Sequence, residues 1–591
     1  MCGIVGCVAK ENCYERIYAA LSRLEYRGYD SAGIAMLQEG AGFHLRKKRG
    51  YVSNLKGRPL AGEAGIGHTR WATHGKPTDA NAHPHGCGKF MLVHNGIIEN
   101  YLSLKEELCA QGEQFASETD SEVIVKLISR AYTGDFFSAV RTACRRLRGS
   151  YAIAVLCSDH PGEVIGARQG SPLVAGASDT ALYICSDIPA LCGDADYICP
   201  ASDGEFICIR DGKIQFFDEA GSELCKCFTR VLPESRAETS VSGTFMEKEI
   251  AQIPRAIADT LQGVSSLDYA PCARALRAAK CVYAVACGTA FHAALVFGDV
   301  VQNTVGAHVV CTVSSEFRYA NLPIGVGDLV VAVSQSGETA DTLEAVRLAA
   351  KRGAFVIAVT NIAHSTLAAL ADFSIVMRAG PEIAVAATKS YNCQLVCLYY
   401  LAAQMQYFRT QAYPVWFLSL RDLPAAAEAA FDCFPQMSAL AAKWKDARGM
   451  LFLGRSLDLR TAAEGALKTK EIAYVFAEGY AAGELKHGTL ALIEEGFPVV
   501  ALSTRRDIAS KTENALAESK ARGAQVVLLS QSEESLNESC ADFRIRLPNL
   551  PECLMPAVAV IPLQYFACRL CLLRGYDPDK PRNLAKSVTV E

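Results

Sequence analysis

Cys2 follows a single methionine in Met1-Cys2-Gly3-Ile4-Val5-Gly6, so removal of Met1 would leave a cysteine that carries a free amine. An α-amine titrates near about 7.7–8.0 and a thiol near about 8.5, so this amine can take the thiol's proton with no histidine partner. Three polar clusters downstream supply what amide cleavage would need: Arg70-Trp71-Ala72-Thr73-His74-Gly75, His94-Asn95-Gly96 and Glu118-Thr119-Asp120. A cation holds an amino acid's carboxylate, an anion holds its ammonium, and donors meet a developing oxyanion. Arg70, Asp120 and the Asn95-Gly96 turn offer these in that order.

A second set of groups lies far along the chain. Glu464, Lys468 and Glu471 stand at i, i+4 and i+7, which a helix places on one face. They form either an exposed ion-pair ladder or a buried charge cluster, and the neighbours Ala462, Ala463, Ala466, Leu467 and Ile472 favour burial. His487 follows in Ala482-Gly483-Glu484-Leu485-Lys486-His487-Gly488, where it can move protons near neutral pH. Lys586 sits near the end; such a lysine is usually solvated, but a desolvated amine adds to carbonyls. Ser334-Gln335-Ser336-Gly337-Glu338-Thr339 opens a helix with outward hydroxyls and N–H groups around a glycine, which suits a phosphate. Neither G-x-x-x-x-G-K-[ST] nor G-x-G-x-x-G follows these strands, so a small phosphorylated metabolite is favoured over a nucleotide.

These residues need scaffolds, and 591 residues with 50% hydrophobic and 21% charged content allow several cores. Net charge is −4 and the basic run Arg46-Lys47-Lys48-Arg49 has no interleaved aromatics, which argues against a nucleic-acid partner. The 24 cysteines are scattered through apolar runs rather than spaced as a disulfide framework. Cys568-x-x-Cys571 lacks a second pair and reads as a buried helix, and His83-Pro84-His85 reads as a polar loop, so no metal is expected. No signal-peptide pattern opens the chain, and Pro551, Pro556 and Pro562 interrupt the apolar stretch Leu550 to Leu573, so no membrane partner and a cytoplasmic location are expected.

The first third alternates short strands (Gly3 to Val8, Ala64 to His68, Phe90 to His94, Ala152 to Cys157) with helices over Tyr14 to Leu24 and Ser121 to Tyr132. This predicts an α+β layered sandwich with the three polar clusters at strand ends. Periodicity fades between Phe217 and Thr244, around Pro233-Glu234-Ser235-Arg236. Beyond it, apolar strands at Cys281 to Ala286, Leu329 to Ser334 and Phe355 to Thr360 alternate with helices such as Thr339 to Lys351, predicting α/β parallel sheets. Val330 to Ser334 with Arg352-Gly353-Ala354 is echoed by Val499 to Ser503 with Arg522-Gly523-Ala524, an offset of about 170 residues that suggests a duplicated Rossmann-like domain. The expected boundaries are 1–218, a linker and connecting helix over 219–273, copies at 274–413 and 440–581, and a tail at 582–591.

Cys2 with its three clusters resembles a class II glutamine amidotransferase, an N-terminal-nucleophile glutaminase. Ser334 to Thr339 with Cys287-Gly288-Thr289 resembles the sugar isomerase (SIS) domain. Paired isomerase copies behind a glutaminase resemble the glutamine:fructose-6-phosphate aminotransferase (isomerizing) family, nearly end to end. The resemblance implies that Cys2 attacks the glutamine amide while Asn95 and the Gly96 N–H hold the oxyanion. Arg70, Thr73, His74, Gly96 and Asp120 would bind glutamine, Arg27 would position the nucleophile's surroundings, and Trp71 would gate ammonia or be plain core. His487 would open the sugar ring, Lys586 form a Schiff base and Glu471 move the proton, with Lys468 and Glu464 assisting. Cys287, Gly288, Thr289, Ser334, Gln335, Ser336, Thr339 and Val385 would bind the phosphosugar. It further implies the substrates glutamine and fructose 6-phosphate, no cofactor, and a homodimer. Ala290 and Ala387 stand where serines are common in that family, and Thr489 where proline is common; each lost hydroxyl would weaken sugar binding by about 0.5–1.5 kcal/mol. A glutamine amidotransferase acting on another ketose phosphate and a regulatory phosphosugar sensor are the alternatives; the sensor predicts loss of Cys2, Glu471, His487 and Lys586, all of which are present.

Overall fold

The computed structural model describes residues 2–191, 193–230, 243–531 and 540–589. Its contacts divide into two compact units, Met1–Ser240 with Ser587–Glu591, and Val241–Lys586. Met1 and the Pro233-Glu234-Ser235-Arg236 connection lie outside the described residues.

In the first unit two antiparallel sheets face one another. The strand Gly3–Ala9 runs in an eight-stranded sheet between Ala64–Arg70 and Ala181–Cys185. Phe90–Ile98 pairs with Gly149–Cys157 in a seven-stranded sheet. Side chains alternate between strand faces, and the sequence alternates accordingly. Ile4, Ile66, Val93 and Ala154 fill the space between the sheets. Val5 and Cys7 pack outward onto the helix Tyr14–Arg23, and Leu92 and Val155 onto Ser121–Ala131 and Phe136–Cys144. The layers are therefore helix, sheet, sheet, helix, the α+β sandwich that the pattern predicts.

The second unit contains two five-stranded parallel sheets. Val282–Ala286, Val309–Val313, Leu329–Val333, Phe355–Thr360 and Phe373–Val376 form one; Gly449–Gly454, Phe476–Ala481, Pro498–Ser503, Gln525–Ser530 and Phe543–Arg546 form the other. Both have the spatial order second, first, third, fourth, fifth, which is what duplication of one α/β domain produces. One apolar core joins them through the helices Gly288–Val305, Lys389–Thr410, Leu457–Ala473 and Pro556–Leu573.

The prolines near the end do not interrupt the chain as expected. Pro556 is the first helical residue, where its missing N–H costs nothing, and the helix runs on through Pro562. Burial of that helix among its neighbours outweighs the roughly 3 kcal/mol that an internal proline costs. Among the described residues this is the one helix long and apolar enough to cross a membrane, and 78% of its apolar window is buried inside the protein. Cys568 and Cys571 lie in the core, and all described cysteines are free.

Candidate active sites

Cys2 is half-buried at the head of the Gly3–Ala9 strand, and the Trp71 N–H donates to its Sγ at 3.2 Å. Burial pushes the thiol up, while the Trp71 N–H and the charge of Arg70 oppose it. Asn95 Nδ2 donates to the Cys2 carbonyl oxygen at 2.9 Å. The expected Asn95-Gly96 turn is absent: both residues lie within the Phe90–Ile98 strand, opposite Ala152 and Tyr151. The apolar residues on either side of them hold the ladder in the core, and Gly96 meets an irregularity there with φ at 134°. A Cβ on Gly96 would stand 2.0 Å from the Ser150 carbonyl oxygen, so only glycine fits.

Arg70 ends its strand, and its guanidinium donates to the carbonyls of His74, Gly75 (3.0 Å) and Lys76 (3.4 Å), folding the following loop around itself. That loop presents Thr73 at the surface and His74, half-buried, against the Tyr101 ring. The Glu118-Thr119-Asp120 cluster precedes a helix rather than ending a strand, because Asp120 occupies the N-cap position of Ser121–Ala131. Asp120 Oδ2 accepts from the Ile98 N–H at 2.9 Å, which ties it to the strand of Asn95. Arg27 is buried and donates to Asp187 at 2.5 Å and to the Ser186 carbonyl at 3.2 Å, while Ser186 Oγ accepts from Ile4 N–H beside the nucleophile. Trp71 is half-buried, edge-on to Tyr29. His83 and His85 do not form a polar loop: both are buried, and with His68 and His94 they are held neutral by desolvation.

In the second unit Glu464, Lys468 and Glu471 share one face of Leu457–Ala473, with Lys468 Nζ 3.3 Å from Glu464 and 2.6 Å from Glu471. Lys468 is 1% and Glu464 0% exposed, so the cluster is the buried alternative and not a surface ladder. The first copy completes it. Thr289 Oγ1 donates to Glu464 at 3.0 Å and accepts from Lys468 at 2.8 Å, and His292 Nδ1 lies 2.7 Å from the other Glu464 oxygen. Burial opposes both charges, but Lys468, with His292 and Thr289, keeps the Glu464 carboxyl below its ordinary range, and the two glutamates keep the Lys468 ammonium above its own. Lys586 Nζ pairs with Glu382 at 2.5 Å, with 6% of the lysine side chain exposed. Glu382 also accepts from the Thr388 and Ser390 N–H groups; Lys586 and these donors overcome burial and hold it below its usual range.

The loop after Leu329–Val333 is built differently from the expected outward array. Ser334 turns inward, accepting from the Gly337 N–H at 3.1 Å and bonding Thr339 Oγ1 at 2.9 Å, because a tight turn must satisfy its own N–H groups. Gly337 is left-handed at φ 66°. Gln335 and Ser336 remain half-buried, and Gly288 opens its helix with free space where a Cβ would be. Cys287 lies 3.9 Å from Thr342 Oγ1, and Val385 is buried, its N–H donating to the Asp579 carbonyl. His487 is exposed on the turn Leu485–His487, and its ring makes no hydrogen bond to a described residue, so the structure does not join it to Glu471 or Lys586. Among the described residues no group of three or more His, Cys, Asp or Glu is arranged to hold a metal.

Three partners escaped the sequence reading. His292 stands one helical turn after Thr289, a spacing that would have flagged it; His68 shares a strand face with Arg70 at i, i+2; and Glu382 has no local signal, since its partner is 204 residues away.

A glutamine amidotransferase domain model matches residues 68–193, and an SIS domain model matches twice, at 275–404 and 444–574. Fold and matches together define a glutamine amidotransferase joined to paired SIS domains. Glutamine–fructose-6-phosphate aminotransferases (isomerizing) from Clostridium tetani and Symbiobacterium thermophilum are 42% and 44% identical to the chain, each alignment covering 100% of both proteins. The solved C-terminal domain of glucosamine-fructose-6-phosphate aminotransferase from Francisella tularensis superposes with a TM-score of 0.56 at 30% identity, over 58% of this chain and 100% of that one. The chain belongs to the glutamine–fructose-6-phosphate aminotransferase (isomerizing) family.

Proposed function

We propose that the chain moves the amide nitrogen of L-glutamine to D-fructose 6-phosphate and isomerises the product, giving D-glucosamine 6-phosphate and L-glutamate. The observation that carries this reading is a full-length family match in a chain that retains Cys2 beside Asn95 and the buried Glu464–Lys468–Glu471 array. The Cys2 thiolate adds to the glutamine amide, Asn95 Nδ2 and the Gly96 N–H stabilise the oxyanion, ammonia leaves, and water hydrolyses the thioester to glutamate. Arg70, Thr73, His74 and Asp120 bind the amino-acid end, and Trp71 gates the ammonia. Ammonia must travel unprotonated, since an ammonium ion is no nucleophile.

In the sugar half, the phosphate rests on Ser334, Gln335, Ser336 and Thr339, with Cys287, Gly288, Thr289 and Val385 about the sugar. His487 opens the ring, Lys586 leaves Glu382 to add to the C2 carbonyl, and Glu471 moves a proton between C1 and C2, with Lys468 and Glu464 assisting. The exposure of His487, whose ring bonds no described residue, fits a homodimer in which one copy's histidine completes the other's site. We read 1–218 as the glutaminase domain, 274–413 and 440–581 as the sugar isomerase domains and 582–591 as the catalytic tail, in a cytoplasmic enzyme. Glutamine labelled with heavy nitrogen in its side-chain amide tests the reaction: with fructose 6-phosphate, label should appear in a hexosamine phosphate. Label found only in free ammonia would overturn the choice of sugar.

A further inference from the structure

A carboxamide is nearly the same shape either way round, so packing alone does not decide whether Asn95 turns Nδ2 or Oδ1 toward Cys2. His68 decides it. The strands Ala64–Arg70 and Phe90–Ile98 belong to the two facing sheets, and His68 is fully buried between them. Its Nε2 lies 2.9 Å from the His94 carbonyl oxygen and 3.1 Å from Asn95 Oδ1. A carbonyl oxygen only accepts, so Nε2 carries the ring's hydrogen. That N–H must in turn face an oxygen, which brings Oδ1 to the histidine and leaves Nδ2 on the Cys2 side. The Cys2 carbonyl, also an acceptor only, takes Nδ2–H at 2.9 Å and agrees with the assignment. Burial holds the His68 imidazolium down to about 3, so the ring carries one hydrogen at neutral pH. Nδ1 has no hydrogen-bond partner among the described residues, and the His83 ring packs against the His68 ring, centroids 4.1 Å apart.

We propose that His68 is a positioning residue for glutamine hydrolysis, its Nε2–H locking the Asn95 carboxamide with Nδ2 toward the nucleophile. The proposal rests on the reading of Asn95 as an oxyanion donor. It is tested in the full chain with Met1 removed, by glutamate release in the presence of fructose 6-phosphate and, separately, by the rate at which iodoacetamide alkylates Cys2, a displacement that forms no oxyanion. His68→Leu should lower kcat by about 100-fold, the scale of one lost oxyanion donor, with the glutamine KM and the alkylation rate changed less than about threefold. His68→Gln restores an N–H near the Nε2 position and should recover at least about tenfold of the loss. His68→Leu combined with Asn95→Ala should be no slower than Asn95→Ala alone, because the two act as one unit. An unimpaired His68→Leu beside a crippled Asn95→Ala would overturn the proposal. So would equal loss in the Leu and Gln variants, or loss of alkylation together with turnover in both. If Asn95→Ala itself hydrolyses glutamine at the parent rate, the oxyanion reading fails instead, and the proposal with it.

Discussion

Each of His68, His83, His85 and His94 is buried and kept neutral in the first unit. An unfolded imidazole binds its proton near about pH 6.5, so below that pH the unfolded chain holds more protons than the folded one and stability falls as pH drops. Above it these groups have no effect. For His68 the loss approaches about 1.4 kcal/mol per pH unit and continues toward pH 3, and the other three add to it in the same direction. Hydrogen exchange in the peptides spanning Ala64–Arg70 and Phe90–Ile98 should therefore show weaker protection, corrected for intrinsic rates, at pH 5.5 than at pH 7.5; equal protection would contradict this. Cys2, Arg70 and Asp120 could be picked out in the sequence because their chemistry is particular to their residue types. The histidines could not: what matters is which of them the two sheets bring face to face, and strand alternation hints only that His68 and Arg70 share a side.

At the scale of elements, the Asn95-Gly96 pair shows how tertiary packing overrides a turn signal. Gly96→Ala would place a Cβ against the Ser150 carbonyl at a φ of 134°. Glutamine hydrolysis should be lost, with phosphosugar binding retained; unchanged hydrolysis would deny that the strand is this tight. The helix Leu457–Ala473 was legible with its charged face, but not its partner, since Thr289 and His292 come from the other copy. Lys468→Ala leaves Glu464 buried without its cation, a change that costs about 3–5 kcal/mol and should lower the thermal midpoint of the second unit. An unchanged midpoint would mean that the pair is not buried as described. The two copies also differ at corresponding places. Leu451 lies opposite Val499 as Tyr283 lies opposite Val330, a register that matches Glu464 to Val296 and Lys468 to Val300, both in the apolar core. In the second copy Asp458 accepts from Thr504 N–H at 2.9 Å and Oγ1 at 2.6 Å, so its own carboxylate occupies the donors beyond the strand Pro498–Ser503. Calorimetric titration should accordingly give one phosphosugar per chain, and two per chain would refute the asymmetry.

For the molecule as a whole, the glutamine amidotransferase match falls in one compact unit and both SIS matches in the other, so defects in the two half-reactions should separate too. Cys2→Ala should abolish glutamine hydrolysis and leave fructose 6-phosphate binding intact; Lys586→Ala should abolish hexosamine formation and spare some glutamine hydrolysis. Undiminished hexosamine formation by the lysine variant would remove its assigned role. The layered and duplicated architecture was readable because hydrophobic period and strand length repeat locally, whereas Pro562 misled because only the finished core shows how well its helix is held. The seam at Glu464 has an evolutionary consequence as well. Because one repeat supplies Thr289 and His292 and the other supplies Glu464 and Lys468, gene conversion that copied the first repeat over the second would replace a charged pair with valines. Selection must therefore keep the two halves of this ancestral duplication unlike, and their divergence is a condition of the site rather than drift around it.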